Sequence, residues 1–292
     1  MVKDLESYVK LKNSAEKKVK IGGAIILVSL LGLLLPSPVG VILLIGGILG
    51  GAITAGIGFS SFKKLSKKFK VEVLTGLIAT FVDNGKFDPN YGLTQAQVYS
   101  SEFIKRADRF HTEDFLSGSM DGVEFISSDV KLEERHIRHT KNGTEEYYET
   151  YFLGRLFKFE FNKSFDGYLQ VLEGAKPTKN RKYTKVKLES IQFNKKFKTY
   201  ATSEHSAFYV LTPHFMEALM KFEQENKGKI YFSFIDSTLY IGINNFVDTF
   251  ELKMFRKLDN TVFESFKKEL LVIKEVITEL KLNNNIFKKE GM

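Results

Sequence analysis

Cysteine is absent from all 292 residues. That absence excludes disulfides, thiolate zinc sites, iron–sulfur clusters and cysteine nucleophiles, and it suits a cytoplasmic setting. Charge is absent from one long stretch. Residues 21–62 form a run of 42 without a single Asp, Glu, Lys or Arg, interrupted by Pro36-Ser37-Pro38. Catalytic motifs are missing too. There is no G-x-S-x-G, no G-x-G-x-x-G following a strand and no H-E-x-x-H.

A membrane-spanning helix uses about 20 apolar residues, so the run has room for two. Ile21–Leu35 and Val39–Phe59 are the expected spans. Pro36 and Pro38 cannot continue a helix interior and make an uncharged turn, giving a transmembrane hairpin. Lys17, Lys18 and Lys20 precede the run, and Lys63, Lys64, Lys67, Lys68 and Lys70 follow it. Positive charge on both flanks and none in the turn predicts a multi-pass protein of the cell membrane with both termini cytoplasmic. A buried soluble hairpin and a secretory signal peptide are the rival readings, the second weakened by the lack of an A-x-A-like site. Gly46, Gly47, Gly50 and Gly51 give two overlapping G-x-x-x-G spacings, suited to close packing within the hairpin or between protomers.

The formal net charge of +8 divides unevenly: residues 1–20 carry +3, residues 63–70 carry +5, and residues 71–292 are neutral. The excess flanks the membrane run, where it attracts anionic headgroups. The neutral remainder lacks the electrostatic footprint of a nucleic-acid binder. Lysine outnumbers arginine 36 to 7, a compositional hint of an AT-rich bacterial genome.

The expected architecture is α+β: an N-terminal two-helix transmembrane hairpin, then a cytoplasmic domain of mainly antiparallel sheet with packed helices. The segments are 1–20 cytoplasmic, 21–62 hairpin, 63–99 amphipathic stalk and linker, and 100–292 soluble α+β domain. The stalk continues the second span to Asp83-Asn84-Gly85, and 87–92 reads as a loop. Thr94 and Gln97 form a capping-box pattern, and a further helix is expected over 102–107. Asp121-Gly122 and Asn142-Gly143 are hairpin turns bracketing a strand over 123–139. Phe157, Phe159 and Phe161 alternate as a strand, with Gly154 as a bulge. Strands are expected over 168–172, 185–193, 198–202 and 207–211. Thr212-Pro213 opens a helix. Two strands follow around Asp236-Ser237, and a last helix capped by Asn260 carries the stripe Phe263, Phe266, Leu270, Ile273, Ile277 and Leu280. That stripe suits packing on the sheet, or a self-association seam.

Phe161-Asn162-Lys163-x-Phe165-x-x-Tyr168 and Phe193-Asn194-Lys195-x-Phe197-x-x-Tyr200 repeat a pattern 32 residues apart. Glu113-Asp114-Phe115-Leu116-Ser117-Gly118, the stretch 154–165, Phe193–Phe197, Ala207–Pro213, Ile230–Phe234 and Leu239–Ile243 follow in order. In these signposts, over about residues 100–255, the chain resembles the bacterial family catalogued as domain of unknown function 3137. The resemblance implies N-terminal membrane segments and a cytoplasmic domain. It supplies no activity and no catalytic residue.

The residues themselves indicate no catalytic, cofactor-binding or metal site. His136 and His139 fall on opposite faces of a strand and complete no ligand set. His111, Glu113 and Asp114 group a base with carboxylates in a loop or cap. Tyr147, Tyr148 and Tyr151 are the aromatics expected to be exposed, available to a peptide or lipid. The chain therefore reads as a membrane-anchored binding or scaffold module rather than an enzyme, with the bilayer and a protein as partners and no nucleic acid. The alternatives are a membrane-tethered hydrolase-like enzyme, for which a polar pocket at His111, Glu113 or His205 is expected, and a subunit of an oligomeric membrane assembly, including a homo-oligomer.

Overall fold

The computed structural model describes residues 5–141, 143–160, 167–178 and 183–282. The chain forms two compact units, Met1–Gly76 with Phe250–Phe266, and Leu77–Thr249 with Lys267–Met292.

The first unit contains helix α1 (Leu5–Ser29) and most of helix α2 (Val39–Phe81). The lysine-rich half of α1 runs on into the first uncharged residues, then tightens into a 3-10 turn over Leu30–Leu34. Leu35 is extended (φ −98°, ψ 148°), the conformation that a following proline imposes. The expected first span over 21–35 is thus divided between helix and turn. Among the described residues only α2 is long and apolar enough to cross a membrane. The two helices approach through glycines. A Cβ on Gly22 would lie 2.5 Å from the Gly51 carbonyl oxygen, and one on Gly58 2.7 Å from that of Ala15. Gly47 and Gly51 of the overlapping G-x-x-x-G pairs meet α1, whereas Gly46 and Gly50 meet nothing within 4 Å.

Below the uncharged run the same unit has a conventional core. Tyr8, Phe69, Phe266 and Phe250 form a chain of edge-on rings with centroids 5.2, 6.1 and 5.4 Å apart. Lys12 and Glu16, one helical turn apart, form a buried ion pair. Lys12 Nζ also donates to the Arg256 carbonyl (2.6 Å), and Glu16 accepts from the Phe255 amide (2.8 Å).

The second unit, in its described residues, is a nine-stranded antiparallel sheet with helices, as the α+β expectation holds. Its elements in chain order are β1 (Asp83–Asp88), α3 (Gln95–Tyr99), β2 (Arg109–Met120), β3 (Val123–Thr140), β4 (Gly143–Glu160), β5 (Tyr168–Leu172), β6 (Thr184–Val186), α4 (Ile191–Lys196), β7 (Lys198–Ala201), α5 (Glu204–Val210), α6 (Pro213–Glu225), β8 (Lys229–Ile235) and β9 (Thr238–Asn244). Helix α7 (Asn260–Glu279) follows. The sheet order is β1-β2-β3-β4-β9-β8-β5-β7-β6. Apolar residues cover both faces. Tyr231 and Tyr240 join Leu93, Val98, Phe103 and Ile104 on one side. On the other, Phe232 packs edge-on against Phe197 and Phe222. Hence β8 is buried on alternate and intervening residues alike, and its phenylalanine alternation records only one of two cores.

Several local expectations hold. Thr94 and Gln97 make the reciprocal capping box, and Thr212 caps α6 with Pro213 in its first turn. The Asp121-Gly122 turn has positive φ at both residues (48° and 78°), as a two-residue hairpin requires. Others fail for identifiable reasons. Residues 83–88 pair with β2 as an edge strand, so the loop expected from Phe87 begins later. No helix forms over 102–107. Glu102 has φ 60°, and its carboxylate and carbonyl are bound by Tyr183 and Thr178. Ser190 and Ser203 each cap a short helix, which takes over part of the strands expected across 185–193 and 207–211. Thr140 pairs with Gly143, placing the second hairpin turn one residue earlier than expected; Asn142 itself lies outside the described residues. Most of the first Phe-Asn-Lys repeat, with Phe161, also lies outside them. Asp259, not Asn260, accepts from the backbone of the first turn of α7, at Thr261.

The expected bulge at Gly154 is displaced. The register shift lies at Tyr151, between the Leu132–Phe152 and Glu133–Thr150 pairs. Gly154 instead has the tightest clearance of the described glycines: a Cβ there would sit 2.0 Å from the Ile243 carbonyl oxygen. Gly154→Ala is therefore expected to destabilise the protein by about 3 kcal/mol, measured by denaturant melts in detergent. Gly76→Ala, on an open helical surface, should instead gain about 0.5–1 kcal/mol.

Candidate functional site

Two features of the sheet unit stand out chemically. The first is an arm. The last contact of β2 with β3 pairs Arg109 with Glu133, and β9 joins β4 only from Gly154 onward. Between them five register pairs, from His136–Tyr147 to Thr140–Gly143, continue as a two-stranded ribbon. At about 3.4 Å per residue it extends roughly 17 Å beyond its neighbours. Such a ribbon buries no core of its own and is marginal in water. Cross-strand contacts hold its register. His136 stacks on Tyr147 (5.3 Å), Arg135 lies 3.6 Å from Glu146, and His139 meets Thr144 at 3.1 Å. At its root the Arg109 guanidinium lies 3.3 Å over the Tyr148 ring. The Tyr148 hydroxyl donates to Glu146 (2.7 Å), which holds its phenol proton above the ordinary range. Tyr151 donates to the Lys105 carbonyl (2.6 Å), and burial pushes its pKa up. Ile137 is 50% exposed and Tyr147 49%, so the expectation of available aromatics holds for Tyr147, while Tyr151 is half-buried against Lys105.

The second feature is an ion cluster. On β2, Asp114 and Phe115 together oppose the single residue Ser128, a bulge with Asp114 at φ 57°. Bulges re-aim side chains, and this one turns Asp114 fully inward. Asp114, Asp129 and Asp248 bring carboxylate oxygens within 4.8 Å of one another. Oxygen donors alone suit a hard cation. Here, however, the buried Arg155 guanidinium, with Nε 3.9 Å from Asp129 Oδ1, already supplies positive charge, and Asp129 also accepts from the Thr249 amide (2.6 Å). The cluster fastens β2, β3, β4 and the segment after β9, and we read it as structural. Sequence reasoning missed Asp129 and Asp248, which lie in no motif. Asp114 and Arg155 both fall inside the signposts of the family resemblance, and Asp114 was also grouped with His111 and Glu113, in a loop or cap rather than on the strand where it lies.

The histidines form no site together. His111 lies 3.5 Å from Glu113 on the exposed side of β2, and His136 sits between Glu134 and Glu149 on the arm. Two grooves of mixed lining, about 320 Å³ each, are bordered by β1–β4 residues such as Lys86 and Lys158, and by Ser190, Met216 and Lys221. His111, Glu113 and His205 line neither.

One carboxylate is pushed toward its neutral form. Burial between α6 and the end of α7, and then the neighbouring Glu225, push the pKa of Glu275 up from 4.5 to about 7. The folded state thus binds its proton more tightly than the unfolded state, so stability falls as pH rises from 4.5 to about 7. Glu275→Gln should therefore raise the Tm at about pH 8 and leave it nearly unchanged at about pH 4.5. Arg155→Met, which leaves the aspartates without their internal cation, should cost about 3–5 kcal/mol in a urea melt.

No curated protein matches the chain. Among solved structures, the crystal structure of the mycobacterial trehalose monomycolate transport factor A, TtfA, aligns with a TM-score of 0.34 at 8% identity, covering 64% of this chain and 88% of that one. The resemblance seen in the motifs has firmer support, although over a stretch shifted toward the C-terminus that leaves out Glu113–Gly118. Residues 150–282, from within β4 to three residues past α7, match the family described as "Protein of unknown function (DUF3137)".

Proposed function

We propose that this chain is a bacterial membrane-anchored binding or scaffold module. In this reading a two-span hairpin holds it, both termini are cytoplasmic, and the β3–β4 arm meets a protein partner. The observation that carries the binding reading is the arm. The chain maintains an extended, register-locked ribbon that adds nothing to the core and presents Ile137 and Tyr147 to solvent. Exposed aromatic side chains are among the usual anchors of protein interfaces, and a ribbon that is marginal alone gains from a partner that covers it.

The anchor reading is supported by the surface of the first unit. Leu27, Val28, Leu31, Leu33 and Leu34 in the first half of the uncharged run are exposed, as are Ile42, Leu49 and Ile53 in the second. Water would not tolerate so large an apolar surface, whereas lipid matches it. Glycine-mediated approach of α1 to α2 suits helices packing without a hydrophobic drive between them. Ile21–Leu35 is short for a span, and Val19 with a snorkelling Lys20 extends it.

Photocrosslinking in native membranes tests the binding role. A probe at Tyr147 or Ile137 is expected to trap one discrete adduct that a probe at Lys86, on the far edge strand, does not. Equal, diffuse labelling at all three positions would sink the arm as a recognition element. Topology is tested separately: alkaline phosphatase fused after Met292 should be inactive and a fluorescent protein fused there should fold, the reverse pattern overturning the cytoplasmic assignment.

A further inference from the structure

Bulky side chains avoid positive φ because Cβ crowds the backbone. Three phenylalanines after β9 nevertheless adopt it: Phe246 (56°), Phe250 (59°) and Phe255 (62°). Phe250 has a packing reason, being buried against Phe266. Phe246 and Phe255 are 58% and 53% exposed, so burial accounts for neither, and of the two only Phe255 lies in the unit that carries the uncharged run. It is the third residue of a turn closed by the Arg256 amide on the Lys253 carbonyl, a place where positive φ ordinarily selects glycine or asparagine. Strain kept at an exposed aromatic points to use rather than packing.

The surroundings of Phe255 identify the use. Its amide is held by Glu16, and the next carbonyl by Lys12. Partial burial raises the Glu16 pKa, but Lys12, the Phe255 amide and Lys20 outweigh it, so the carboxylate stays ionised as a fixed bracket. The ring lies 5.6 Å from Lys20 Nζ, and Lys20 immediately precedes the uncharged run. Across the helix pair at this level, Gly58 meets Ala15 and Val19, and Phe59 beside it is 54% exposed. Lys17 and Lys18 on α1, and Lys63 and Lys64 little more than a turn beyond Phe59 on α2, are exposed as well. Aromatics just outside a span, with cations beside them, are the composition of a membrane interface facing anionic lipid.

We propose that Phe255 is an interfacial anchor, seated with Phe59 at the boundary between headgroups and acyl chains of an anionic bilayer, so that the 250–259 segment docks on the membrane beside the hairpin. The proposal rests on the hairpin reading above and adds a third point of lipid contact, from a segment about 200 residues away in sequence.

The natural chain contains no tryptophan, so one introduced residue reports alone. Full-length Phe255→Trp, Ile42→Trp and Phe208→Trp are reconstituted in phosphatidylcholine–phosphatidylglycerol vesicles, with and without acyl chains brominated near the headgroup. The anchor requires blue-shifted emission at position 255 that brominated lipid strongly quenches, with quenching at 42 and none at 208. Quenching at 42 but not at 255 would overturn the anchor and leave the hairpin standing. No quenching at 42 would remove the hairpin and the anchor together. Emission at 255 shielded from iodide yet untouched by bromine would mean that protein covers the ring, which also overturns the proposal. If Phe255→Trp fails to assemble, Arg256→Trp carries the reporter on the same turn and is read in the same way.

Discussion

Seven consecutive register pairs between β4 and β9 join the sheet into one body. On one side lie β1, β2 and β3, built from local hairpins; on the other lie β8, β5, β7 and β6. Nothing else in the strand order connects the two sets. The junction begins where Gly154 lets two backbones approach more closely than any side chain would permit. The buried Asp129–Arg155 contact stands next to it, and Asn244, the last residue of β9, binds the backbone of Tyr151 and Leu153 through its side-chain amide. Backbone proximity, an internal ion cluster and a side-chain clamp thus converge on one short ladder, and both halves of the domain core are positioned by it.

The first unit solves a different problem. Its helices carry an uncharged half suited to lipid and a lysine-rich half suited to water. The polar half buries Lys12 and Glu16 against the 250–259 segment. Burying an ion pair is seldom a source of net stability. Its benefit here is geometric: both partners spend their remaining valence on backbone groups of Phe255 and Arg256, which fixes a turn at one height along α1. The uncharged run sets which half of the helix pair presents apolar surface, while the height of the turn along α1 comes from a single buried pair.

The sequence made the broad plan legible because the strongest signals are long. Forty-two uncharged residues, alternating phenylalanines and two helix caps survive any tertiary context. Where local reading failed, short-range competition decided. Ser190 and Ser203 start helices inside stretches whose β-branched and aromatic content suggests strand. Asp83–Asp88 is polar enough to pass for a turn but gains pairing from β2. Gly154 serves an approach between chains of distant sequence number, which no local window reveals. The arm was legible as a hairpin with nearby tyrosines, but its freedom from neighbouring strands is a property of register. The aspartate cluster was illegible as a set because its members are brought together by a bulge and a loop.

The two ends of the sheet carry a further consequence. One edge is β1, six residues that include Asp83, Lys86 and Asp88; the other is β6, only three residues long. A charged edge and a very short one are poor templates for another chain to extend. A protein confined to a surface meets its own copies at high local density, where strand-to-strand addition is the simplest route to aggregation. Both margins are thus poor templates for strand addition, which guards the sheet wherever copies of the chain are crowded together.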